Sequence, residues 1–227
     1  MKTIDALARD LETGQTTAAA LVETALERIK DAAGEGARTF LRVDEAGVRE
    51  TARYVDGLRR RNAQPSRYAG IPISVKDLFD VAGEVTTVGS VVLKDQPPAQ
   101  ADAPAVARLK AKGFIVIGRT NMTEFAYSGV GLNPHYGTPL SPYDRATGRI
   151  PGGSSSGAAV SVSDGMCALG LGTDTGGSCR IPASFCGVVG YKPSTGRIPT
   201  RGVYPLSRTL DSVGSLGRSV RCVALAD

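Results

Sequence analysis

Two glycine-serine loops hold the residues best suited to chemistry: Gly152-Gly153-Ser154-Ser155-Ser156-Gly157 and Gly172-Thr173-Asp174-Thr175-Gly176-Gly177-Ser178. Glycines let a backbone take positive φ and turn its N–H groups outward, and the serines set hydroxyls beside those donors. Hydroxyl nucleophiles next to converging N–H donors are the parts of an acyl-transfer site. A base is still needed, and Gly70-Ile71-Pro72-Ile73-Ser74-Val75-Lys76-Asp77 ends an apolar run on a lysine. A desolvated lysine amine can serve as that base.

Other chemistries fit less well. Gly153-Ser154-Ser155-Ser156-Gly157 spells a nucleophile elbow, but that motif precedes its aspartate and histidine. The single histidine, His135, comes earlier, in Asn133-Pro134-His135-Tyr136-Gly137. It reads as a loop residue making a local hydrogen bond, with substrate contact as the alternative. Neither loop contains the Gly-Lys-Ser/Thr run of a phosphate cradle. A flexible linker is disfavoured because apolar helix and strand patterns, not low-complexity sequence, flank both loops.

The elements that must position these residues alternate between helix and strand. Residues 3–61 read as helices: Leu21, Val22, Ala25, Leu26 and Ile29 fall at helical spacing from Thr17 to Asp31, with Thr16 or Thr17 as cap, and a second helix runs from about Glu45 to Arg61. Gly70 to Lys76 follows as a strand whose alternation sets Lys76 opposite Ile71, Ile73 and Val75. Asp102 and Pro104 open a helix through Lys112, and Phe114 to Gly118 is a strand. The pattern recurs with a small-residue helix from Ser155 to Asp164, a strand from Cys167 to Gly172, a helix from Ser178 to Phe185 and a last apolar run from Val188 to Tyr191. This succession predicts an α/β fold, a mixed sheet surrounded by helices, with a helical segment at 1–65 and the chemistry-bearing part at 66–227.

Composition is that of a globular chain, 41% hydrophobic and 22% charged. The net charge of +5 is mild, and Arg59-Arg60-Arg61 lacks interleaved aromatics, so it reads as a solvated helix end and not a nucleic-acid contact. Arg9, Asp10 and Glu12 interrupt the start before a signal-peptide core, and no long apolar run follows; a cytoplasmic protein without membrane contact is expected. Cys167, Cys179, Cys186 and Cys222 lack metal-ligand spacing and are expected as reduced, mostly buried thiols, with no metal.

Gly-Ile-Pro-Ile-Ser-Val-Lys-Asp, Pro-Gly-Gly-Ser-Ser-Ser-Gly and Gly-Thr-Asp-Thr-Gly-Gly-Ser-Cys-Arg-Ile-Pro-Ala, followed by Gly-Val-Val-Gly-Tyr-Lys-Pro, together resemble the amidase signature family from roughly Tyr68 to Arg218. The resemblance implies hydrolysis of a small-molecule carboxylic amide through an acyl-enzyme, without organic cofactor. It implies Ser178 as nucleophile, Ser154 as a bridging serine after a cis peptide, and Lys76 as terminal base. Thr175, Gly176 and Gly177 would supply oxyanion-hole N–H groups. Asp174 and Arg180 would pair as scaffold, with a substrate-carboxylate contact as the alternative for Arg180. Ser155 and Ser156 read as helix-capping hydroxyls, Ser156 also as a hydrogen-bonding member of the triad. The family pattern has an ordinary apolar residue at the position of Cys179, which argues against a thiol nucleophile there.

Members of that family are roughly twice this length, so the resemblance implies the N-terminal half of an amidase. A half-covered sheet would expose apolar surface, with association of copies or marginal folding as the expectation. Two further readings accompany the amidase: the glutaminase subunit of a tRNA-dependent amidotransferase, and an inactive amidase-like chain. Lys76-Asp77-Leu78-Phe79 and Arg201 to Asp211 look more like stand-alone amidases than like that glutaminase.

Overall fold

A computed structural model describes residues 1–227. The helices are α1 Ile4–Glu12, α2 Ala18–Lys30, α3 Gly36–Thr39, α4 Glu45–Arg60, α5 Pro104–Ala111, α6 Ser156–Ser163, α7 Arg180–Cys186 and α8 Val220–Ala224. The strands are β1 Phe40–Arg42, β2 Pro72–Lys76, β3 Ile115–Thr120, β4 Leu169–Asp174, β5 Val189–Tyr191 and β6 Ser212–Gly217. They form one mixed sheet in the order β1-β3-β2-β4-β6-β5. β2 lies parallel to both β3 and β4, and the outer pairings are antiparallel. The expected mixed sheet with surrounding helices is the observed fold.

Local chemistry explains the N-terminal hairpin. Thr17 Oγ1 accepts from Ala20 N at 3.1 Å, and Asp56 of α4 accepts from Ala18 N and Ala19 N at 2.7 and 3.0 Å. Three N–H groups that a helix start leaves without partners are thereby satisfied. Val22, Leu26, Val48, Ala52 and Val55 share an apolar core with Ile115 and Ile117, so the hairpin is packed onto β3. One expectation fails here. Residues 3–61 are not all helical, because Phe40–Arg42 turns extended and pairs antiparallel with β3. Phe40 is buried and Arg42 exposed, and the edge of the sheet supplies the hydrogen bonds that three residues cannot make alone.

β2 is buried on both faces. Ile71, Ile73 and Val75 enter the larger core, while Ser74 Oγ meets Ser161 Oγ of α6 at 2.9 Å. Lys76 shares the α6 side, as its alternation requires. α6 is thin where it meets its neighbours: a Cβ on Gly157 would sit 2.5 Å from Thr39 O at the end of α3 and 2.7 Å from Asn121 O just after β3. Its last carbonyls are capped by arginine. Arg28 Nη1 donates to the carbonyls of Asp164 and Gly165, both at 3.1 Å, and Arg218 Nη2 to those of Val162 and Ser163, both at 2.8 Å. β6 has no counterpart among the strands expected from sequence. Ser-Val-Gly-Ser-Leu-Gly has weak strand propensity, but the backbone is clamped between β4 and β5, and a Cβ at Gly214 would fall 2.3 Å from Tyr191 O.

Candidate active site

β2 delivers Lys76 to the end of the sheet, fully buried, beneath the two serine loops. Its Nζ donates to Ser154 Oγ at 2.7 Å and to Thr173 Oγ1 at 3.0 Å. Burial pushes the amine down from 10.5 to about 7, against the pull of Cys179, Asp174 and Asp211. The Cys179 thiol is itself pushed up by burial to about 12, so near neutral pH it is uncharged and the carboxylates are the groups that hold the amine up.

The first serine loop is fixed by backbone contacts. The Gly153–Ser154 peptide is cis. Gly153 N donates to Gly129 O at 2.8 Å, and Ser154 O accepts from Thr123 N at 3.1 Å. A Cβ on Gly153 would lie 2.7 Å from Gly131 Cα, and one on Gly131, at φ +92°, would lie 2.3 Å from Gly152 O. Glycine at these positions is therefore a requirement of close approach. The two serine loops touch directly, with Ser155 N donating to Ser178 O at 3.2 Å.

Asp174 organises the second loop. Its carboxylate accepts from Gly177 N at 2.8 Å, Cys179 N at 3.1 Å and Arg180 N at 3.3 Å, and Arg180 grips it through Nε at 3.0 Å and Nη2 at 2.9 Å. Burial raises the acid's pKa, but the Arg180 guanidinium and the N–H groups of Cys179 and Arg180 outweigh it and hold the carboxyl below its ordinary value. One expectation is corrected here: Gly177 N–H is consumed by Asp174, so it is not an open donor. The N–H groups of Thr175, Gly176 and Ser178 donate to no group in the chain and remain available.

Ser178 is nearly buried, at 7% exposure, and its hydroxyl makes no hydrogen bond to Ser154. Ser155 occupies the N-cap of α6 without a side-chain cap; its Oγ donates instead to Thr173 O at 3.3 Å. Ser156 Oγ is buried without a partner, so neither capping nor the expected triad hydrogen bond is formed. His135 makes a local contact, Nε2 to Glu124 Oε1 at 3.0 Å. The four cysteines are free and buried.

Residue type and spacing do not single out Thr173. Its signal lies in the motif, since β4 runs to Asp174 and Thr173 is the β4 hydroxyl that meets Lys76. The turn after Lys76 is held by a buried ion pair: Asp77 accepts from Gly89 N at 3.1 Å and from Thr87 Oγ1, while Arg119 lies 3.6 Å from Asp77 and donates to Phe79 O. A cavity of about 490 Å³ between α4 and β3, lined by Val48, Tyr54, Leu58 and Ile117, lies away from these serines.

A buried lysine, a serine hydroxyl in contact with it and a glycine loop with open N–H donors are thus assembled on one sheet end, and the Amidase family model matches residues 20–227. The chain belongs to the Amidase family. It is 43% identical over its whole length to AtzE of Pseudomonas sp. (strain ADP), a 1-carboxybiuret hydrolase subunit, and covers 49% of that protein. It is 44% identical over 90% of its length to a glutamyl-tRNA(Gln) amidotransferase subunit of Anaeromyxobacter sp. (strain K), covering 41% of it. The solved peptide amidase from Stenotrophomonas maltophilia superposes with a TM-score of 0.89 at 31% identity, over 99% of this chain and 47% of that one. The chain spans about half the length of the curated relatives it matches. No helix is long and apolar enough to cross a membrane.

Proposed function

We infer that this chain carries the catalytic centre of an amidase that hydrolyses a small-molecule carboxylic amide through an acyl-serine at Ser178. The observation that carries the reading is the 2.7 Å contact between Ser154 Oγ and a fully buried Lys76 amine whose pKa lies at about 7. A neutral amine at that distance accepts the Ser154 proton as Ser154 Oγ takes the proton of Ser178. Ser178 Oγ then attacks the amide carbon. The carbonyl electron pair moves onto oxygen, where Gly176 N–H and Ser178 N–H receive it. Collapse of that intermediate breaks the C–N bond, and the proton held on Lys76 returns through Ser154 to the departing nitrogen. Water, deprotonated through the same relay, releases the acid and regenerates Ser178.

The reading is tested by incubating the purified chain with a fluorophosphonate probe and mapping the adduct by peptide mass spectrometry. The expected adduct is on Ser178, lost in Lys76→Ala; labelling elsewhere, or labelling indifferent to Lys76, defeats the assignment. The 44% identity to an amidotransferase component supports a second reading, in which the amide is glutamine and the ammonia goes to a partner. Glutamine hydrolysis that rises only when a partner protein is added would favour it.

A further inference from the structure

Asp211 is a buried carboxylate in contact with the second serine loop that the chemistry above does not use. It stands immediately before β6 and is 8% exposed. Its Oδ1 accepts from Thr175 Oγ1 at 2.5 Å and from Ser207 N at 3.1 Å. Its Oδ2 accepts from Leu206 N at 2.9 Å and Ser207 N at 3.0 Å. The carboxylate is held by a loop of its own, 206–211, and reaches out of it to one side chain on the serine loop.

That side chain is well placed. Downstream of Gly176, Asp174 fixes the N–H groups of Gly177, Cys179 and Arg180. Gly176 itself is exposed, and a Cβ built on it would find no heavy atom within 4 Å. Glycine loses more freedom on ordering than any other residue, and an open N–H donor is useful only while it points at one place. Upstream, past the pairing of Asp174 with Ser212 that ends the β4–β6 ladder, the loop is tied by the Thr175 hydroxyl on Asp211.

We propose that Asp211 is a positioning residue which, through Thr175 Oγ1, holds the Thr175–Gly176 peptide so that Gly176 N–H and Ser178 N–H converge on one oxyanion. The proposal rests on the reading of Ser178 as nucleophile. Thr175 thus serves through its hydroxyl as well as its place in the loop. The carboxylate has a second consequence, since a negative charge here favours the ammonium form of Lys76.

The test combines Thr175→Val, Thr175→Ser, Asp211→Ala and the Thr175→Val/Asp211→Ala double variant in the full chain. Two quantities are read: amide hydrogen exchange of the peptide spanning 174–179, and the saturation kinetics of fluorophosphonate labelling. Loss of one hydrogen bond to a charged group predicts about tenfold faster exchange and about tenfold slower maximal labelling in either single variant, with little change in half-saturation. The double variant should be no worse than the worse single, and Thr175→Ser should behave as the parent. Because Thr175→Val leaves the 206–211 loop and its charge in place, it also leaves the pH midpoint of labelling unmoved. Parent-like exchange and labelling in Thr175→Val, or multiplying effects in the double variant, would overturn the proposal. A parent chain that takes no label while the exchange effects remain coupled would sink the acyl-serine reading and still support the anchor.

Discussion

If Lys76 is the base, Ser178 labelling must follow the neutral fraction of one amine. In water a lysine of ordinary pKa is about 0.03% neutral at pH 7. Burial brings Lys76 to about 7, which makes roughly a tenth neutral at pH 6, half at pH 7 and nine-tenths at pH 8. The gain at neutral pH over an unperturbed lysine is therefore on the order of a thousandfold. The pseudo-first-order rate of fluorophosphonate labelling, measured from pH 5 to 9 with intact-mass detection, should climb about tenfold from pH 5 to 6 and about fivefold from 6 to 7, and level off above 8. Lys76→Arg, charged throughout this range, should abolish the climb with the rate near background. A profile that is still rising tenfold per unit between pH 8 and 9, or a flat one, refutes the argument, because either means that the titration of a buried Lys76 does not govern the serine.

The same burial makes a stability prediction of opposite origin. The folded pKa of Lys76 lies below the unfolded one, so the unfolded chain binds more protons between about pH 7 and 10.5 and stability rises with pH there, by up to about 1.4 kcal/mol per unit. Lys76→Met should remove that slope in urea titrations and gain most over the parent at pH 6. Gly131→Ala places a methyl 2.3 Å from Gly152 O at φ +92° and should cost about 3 kcal/mol or more by chemical denaturation. Asp174→Ala leaves three N–H groups without their acceptor and should be more damaging than Arg180→Ala, whose side chain is 55% exposed and whose loss should cost only about 1 kcal/mol. Cys179, buried and pushed up to about 12, should resist iodoacetamide at pH 8 in the native chain and react in urea.

Much of the fold is legible where pattern and punctuation coincide. Thr17 caps α2 and Gly113, at φ +84°, follows the end of α5, as their residue types require. The alternation of β2 sets Lys76 opposite the aliphatics, and the contacts follow it. β1 and β6 are not legible, because three residues and a Ser-Gly run carry no period of their own and are extended only through their partners.

The site divides in the same way. Residue types reveal which groups can do chemistry, so Lys76, Ser154 and Ser178 stand out from their motifs. Direction is another matter. Whether an N–H is open depends on which acceptor lies behind it, and a carboxylate within the motif, Asp174, takes the N–H groups of residues 177, 179 and 180 and leaves those of 175, 176 and 178. A second carboxylate, Asp211, lies 33 residues after Ser178 and meets the loop because β6 pairs antiparallel with β4, with Asp174 opposite Ser212. The glycines that give this loop its freedom are thus given one geometry by two acids, one inside the motif and one brought in by the sheet. Sequence spacing encodes the first; only strand pairing supplies the second.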